Sequence, residues 1–266
     1  MTQQTRTRTT LLVLMGLTAL RIPLAMALRT LLPDASVAPT VNYIAALLQS
    51  LLMFALPGWL LLPRWENAPE AQGFRLNELL LPLLAAALAR LAATPLNALW
   101  AGLIGAQGAA MPRVGTPLEI ALMVLAVAVI PAIAEEVFFR GALLTNLLQA
   151  GSRGQAVALT TMMFALMHGS LAGLPGHLIV SLLLTLLMVR SGSLAAPVVA
   201  HMAFNLLALV QLQLPAYAPW LAGGVLVLLT AWLLVTMPQG RPRRLPVAER
   251  LLCAAILLAM AVQYVM

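Results

Sequence analysis

PAIAEEVFFRGALLT, residues 131–145, sets two adjacent carboxylates, Glu135 and Glu136, and a guanidinium, Arg140, in an otherwise almost wholly apolar run. The chain has only eight acidic residues, so a side-by-side pair in such a setting needs a physical reason. A charged side chain at the centre of a bilayer costs roughly 2.5–3.5 kcal/mol on insertion scales, so it marks function or a tight internal pairing. On a helix, neighbours point about 100° apart and cannot serve one target equally. Glu136 and Arg140 stand at i, i+4 and share a face, while Glu135 shares the other register with Phe139. The spacing predicts a structural Glu136–Arg140 pair and a free Glu135. The plainer alternative is one buried ion cluster that only locks helices together.

The rest of the chain decides what surrounds this stretch. Of 266 residues, 62% are hydrophobic and 9% charged, against about a quarter charged in a soluble domain. The composition predicts an all-α, polytopic transmembrane helical bundle. Apolar runs place spans at about 10–32, 41–62 (bent by Pro57), 79–103, 117–148, 155–170, 176–190, 194–213 and 218–237. A last apolar segment, 251–266, either crosses or lies along the interface, giving eight or nine spans. The 117–148 run is too long for one straight crossing, and Pro131 is the expected kink. Pro131 is also expected to re-aim the helix so that Glu135 faces a cavity. Arg21 and Arg29 interrupt the first run and no small-residue cleavage site closes it, so it reads as a retained span and not a signal peptide.

The net charge of +7 is carried by arginine alone. With a cytoplasmic N-terminus, the inner segments hold Arg6, Arg8, Arg64, Arg75, Arg153, Arg190, Arg241, Arg243, Arg244 and Arg250, and the outer loops hold only Arg113. That bias follows the positive-inside rule. It accounts for the basic surplus through topology and lipid headgroups, with no nucleic acid partner. The single Cys253 excludes an internal disulfide and a metal–thiolate site.

Two further polar features lie in apolar spans. Phe164-Ala-Leu-Met-His168 carries one imidazole, and His201-Met-Ala-Phe-Asn205 projects two polar groups from one face at i, i+4. Reflection about the Gly151-Ser152 turn brings residue 135 level with residue 168, about 25 Å from the turn at 1.5 Å per residue. His201, ten residues past Ser191, lies about 15 Å in. The three can converge if their helices pack together. His177 follows Leu174-Pro175-Gly176 and reads as interfacial or structural, because nothing polar is spaced to join it.

A carboxylate and an imidazole can hold and deprotonate water. A second imidazole and an amide can donate hydrogen bonds to a developing oxyanion. Glu135 with His168, and His201 with Asn205, supply those two halves of a peptidase. A His–His–Glu zinc site is chemically open as an alternative, although no HExxH occurs. No serine or cysteine nucleophile is placed for the reaction. A non-enzymatic scaffold, immunity protein or transporter is the competing class, but no inverted repeat supports transport.

The motifs resemble those of the CPBP family (CAAX proteases and bacteriocin-processing proteins, also called Abi). PAIAEEVFFRGALL resembles its EExxxR motif, Phe164 to His168 its FxxxH motif, and RSGSLAAPVVAHMAFN (190–205) its HxxxN motif. The resemblance covers roughly residues 117–213 and implies a glutamic-type intramembrane endopeptidase related to the type II CAAX prenyl endopeptidases. It implies that Glu135 and His168 activate water and that His201 and Asn205 form the oxyanion hole. Glu136, Arg140, Phe164 and Phe139 would shape the site. No metal ligand set is expected, with zinc kept as the alternative. Residues 1–266 are then one integral membrane domain: N-terminal helices without motifs (1–116), a catalytic core of about four helices (117–213) and C-terminal helices (214–266). The expected partners are the bilayer and a membrane-anchored protein or peptide substrate. The arginine-only, Ala/Leu-rich composition suggests a GC-rich bacterium, hence the inner membrane.

Overall fold

The structure is a computed structural model, and it describes residues 2–32, 38–62, 78–107, 115–210, 215, 217–237 and 244–264. The loop arginines Arg64, Arg75, Arg113, Arg241 and Arg243, with Glu66 and Glu70, lie outside the described residues, as does the side chain of Arg29. Among the described residues the chain is all-helical. The helices are α1 (Gln3–Leu31), α2 (Pro39–Leu61), α3 (Leu80–Ile104), α4 (Pro117–Ala150), α5 (Arg153–Met167), α6 (Leu174–Ser191), α7 (Ala195–Leu209), α8 (Ala218–Val235) and α9 (Val247–Val262). Each coincides with one of the nine apolar segments.

Six of these helices, α1, α2, α3, α4, α6 and α8, are long and apolar enough to cross a membrane. The remaining three have 15, 15 and 16 residues. At 1.5 Å per residue they reach about 22–24 Å, short of a hydrocarbon core of about 30 Å. Among the described residues, length and composition therefore support six spans and do not confirm the eight or nine expected.

Neither Pro57 nor Pro131 breaks its helix. Each is preceded by a π-helical stretch, Leu51–Ala55 in α2 and Val124–Val129 in α4. A proline lacks an N–H, and its ring clashes with the carbonyl four residues back. The chain answers by widening: Leu56 N–H donates to the Leu51 carbonyl and Ile130 N–H to that of Leu125, five residues back in both cases. A second π-helical stretch, Val137–Leu144, follows the Glu-Glu pair. It spreads the backbone through Arg140, whose carbonyl accepts from the Thr145 hydroxyl at 3.0 Å.

Small residues set how closely the helices approach. A Cβ at Gly58 in α2 would stand 2.8 Å from the backbone N of Phe138, so α2 lies directly on the widened part of α4. The α3 face of Ala85, Ala86, Ala89, Ala92 and Ala93 is buried, and α3 packs on α6, α7 and α8. This is how membrane helices gain dispersion contact where lipid offers no hydrophobic drive between them. Polar ties complete the seams. Thr10 accepts from the Asn146 amide at 3.0 Å, Asn97 accepts from Gly176 N–H at 2.8 Å, and buried Glu249 in α9 pairs with Arg8 at 3.2 Å.

Candidate active site

Arg140 is the most heavily held side chain in the core. It is fully buried. Its Nη1 donates to Glu136 Oε1 at 2.8 Å, and its Nη2 to the Ser181 carbonyl at 2.9 Å, Ser181 Oγ at 3.0 Å and Thr185 Oγ1 at 3.4 Å. The guanidinium also lies 4.4 Å from the centroid of the Phe164 ring, a cation–π contact that strengthens away from water. Ser181 and Thr185 come from α6, so the ion pair fastens α4 to α6. Glu136 Oε1 lies 2.9 Å from His201 Nδ1 as well, which adds α7 to the same knot.

Glu135 points elsewhere. Its side chain is 13% exposed where that of Glu136 is 0%. His168 Nε2 stands 3.6 Å and His201 Nε2 4.0 Å from Glu135 Oε2, and that oxygen has no hydrogen-bond partner in the protein. The tautomers follow from the partners on the far side of each ring. The Phe164 carbonyl, 2.9 Å from His168 Nδ1, can only accept, so His168 holds its proton on Nδ1 and presents an Nε2 lone pair. An ionised Glu136 likewise places a proton on His201 Nδ1. Both imidazoles thus turn Nε2 toward the Glu135 carboxyl.

Local structure explains these positions. The α4–α5 turn closes with a capping box in which Gln155 N–H donates to Ser152 Oγ at 3.3 Å and Ser152 N–H to Gln155 Oε1 at 3.4 Å. That tight turn keeps α4 and α5 antiparallel and brings Glu135 level with His168. Helix α5 stops at His168 because Gly169 takes a left-handed conformation, φ +63°. The ending leaves carbonyls without helical partners. The two ends of the chain supply them. Arg21 Nη1 donates to the Met167 carbonyl at 2.8 Å, and the Tyr264 hydroxyl to the Leu166 carbonyl at 3.0 Å. A half-open cavity of about 520 Å³ lies in front, lined by Glu135, His168 and Phe139 together with Arg21, Gln49 and Ser50 from the first two helices.

Residues 117–207 match the model of the family described as type II CAAX prenyl endopeptidase Rce1-like. This stretch belongs to that family. Comparison with the curated proteins and with the solved structures finds no match.

The Rce1-like stretch contains every residue singled out in the sequence, and the structure gathers most of them. Phe139 and Phe164 meet edge to face, with centroids 5.1 Å apart, and Phe164 touches both His168 and His201. Asn205 lies one turn beyond His201 and makes no side-chain hydrogen bond among the described residues. It is not among the residues lining the cavity. His177 requires a correction. Its ring stacks on that of His168, centroids 4.2 Å apart and 27° between planes, so it belongs beside the site. Spacing along one helix could not show this, because a connection brings the start of α6 back onto the end of α5. Arg21 and Tyr264 were missed for the same reason. Among the described residues no group of three or more His, Cys, Asp or Glu is placed to hold a metal ion.

Proposed function

We propose that the protein is an intramembrane endopeptidase of the glutamic type, hydrolysing a peptide bond in a membrane-anchored protein or peptide. The observation that carries this is the buried Glu135 Oε2, unpartnered in the protein and faced by Nε2 of both His168 and His201. Two acceptors, Glu135 Oε2 and His168 Nε2, need protons between them, and water supplies two. Glu135 takes one as the water oxygen attacks the scissile carbonyl. The tetrahedral oxyanion is met by His201, the first donor that the family resemblance assigns. The Asn205 amide is the second donor that the family resemblance assigns. Glu135 then returns its proton to the leaving amine as the C–N bond breaks. Glu136, Arg140, Phe139 and Phe164 hold the rings in register and touch no reacting atom. The family match and the apolar helices support a peptide substrate met within the membrane.

The test compares membranes of cells producing wild-type protein, Glu135→Gln or His168→Ala, with new peptide termini read by mass spectrometry. Termini are expected with wild type only. Their undiminished appearance in both variants would falsify the peptidase. A zinc mechanism would show itself separately, through loss with chelator and recovery with zinc.

A further inference from the structure

Arg21 is a guanidinium on the wall of the cavity that also holds Glu135 and His168. A guanidinium stays charged under all ordinary conditions. Arg140 and Arg8 answer their charge with Glu136 and Glu249. Arg21 has no carboxylate partner among the described residues. Its Nη1 is spent on the Met167 and Leu166 carbonyls, at 2.8 and 3.5 Å, while Nε and Nη2 have no acceptor among the described residues. A Cβ at Gly169 would stand 2.9 Å from Arg21 Nη2, so the guanidinium lies directly against this glycine. Gln49 and Ser50 on α2 line the same cavity and make no side-chain hydrogen bond among the described residues.

We propose that Arg21 is the anchor for a carboxylate on the peptide that enters this cavity. A guanidinium edge with two free N–H groups matches the two oxygens of a carboxylate, and holding it in advance reduces the entropy lost on binding. The carboxylate is either the free C-terminus of the peptide or an Asp or Glu side chain. Gln49 and Ser50 are the polar groups left to meet the peptide backbone. The inference rests on the peptidase reading for its substrate class, and it makes α1, outside the family match, the element that selects substrates.

The test uses full-length Glu135→Gln protein in lipid nanodiscs, which prevents turnover, and N-palmitoylated ten-residue Ala/Leu/Ser peptide libraries. The libraries are made as C-terminal acids, as C-terminal amides, and as amides containing one Asp. The acids or the Asp amides are expected to be retained roughly tenfold to a hundredfold over the plain amides, the scale of one charge-assisted contact, and the retained form identifies the source. Arg21→Gln should erase the ratio and Arg21→Lys should keep part of it. Arg21→Lys, which keeps a cation at the same place, is the variant that decides the matter if Arg21→Gln folds poorly. Equal retention of all three libraries, no retention at all, or a ratio indifferent to these variants overturns the anchor. Wild-type turnover of the same libraries is scored apart. Cleavage without carboxylate preference removes Arg21 from the argument and leaves the peptidase. Carboxylate-dependent retention without cleavage does the reverse.

Discussion

Two regions on opposite sides of α4, whose carboxylates are adjacent in sequence, put the same side-chain types to opposite uses. Behind α4, Glu136 and Arg140 are fully buried and tied to Ser181, Thr185 and His201, so that only one carboxylate oxygen and one guanidinium nitrogen lack partners. In front of α4, Glu135 and Arg21 line a cavity and keep hydrogen-bonding capacity that the protein does not use. Residue identity does not separate a brace from a site here. Spent hydrogen-bonding capacity does.

The comparison can be broken most severely at Glu135. Glu135→Gln keeps the shape and removes the base, and turnover of any processed substrate should fall about 10²–10⁴-fold. Thermal unfolding in detergent should be unchanged, because no partner of Glu135 is lost. Arg140→Met should show the reverse signature, costing about 3–5 kcal/mol by leaving Glu136 buried and uncompensated. The double variant Glu136→Leu/Arg140→Met should recover part of that stability in the same unfolding assay, and no recovery would mean the brace is not a simple ion pair. Gly58→Ala drives a methyl into the Phe138 backbone and should destabilise by about 1–3 kcal/mol, loosening α2 from α4 and slowing turnover through displacement of Glu135. The smallest effect is expected from Tyr264→Phe. It removes one of the donors to the end of α5, about 0.5–1.5 kcal/mol, and should lower kcat more than it raises KM if the bond serves to place His168.

Much of this was legible because it is local. The i, i+4 spacing of Glu136 and Arg140 gave the brace, and the short turn at Gly151-Ser152 gave the level meeting of Glu135 and His168. The role of His201 was only half legible. Its spacing to Asn205 announced a pair, but the Nδ1 contact with Glu136 depends on the packing of α7 against α4. His177, Arg21 and Tyr264 were hidden because their contacts with the end of α5 are set by helix placement, on which local spacing is silent. The span count of eight or nine is not confirmed among the described residues, for another physical reason. Hydropathy registers apolar runs, whereas crossing a bilayer needs length, and α5, α7 and α9 are short.

The widened turn before Pro131 has a consequence for how this chain can change. Residues Val124–Val129 are all aliphatic, and the buried pair Ala126 and Ala128 keeps the neighbouring helices close, so larger side chains fit only at the other positions. Their number is another matter. Deleting one would collapse the wide turn into an ordinary one and rotate all of α4 upstream of it by about 100° relative to the Glu-Glu pair. The segment is therefore encoded by count as well as by content: a missing residue re-aims everything upstream, whichever letters remain.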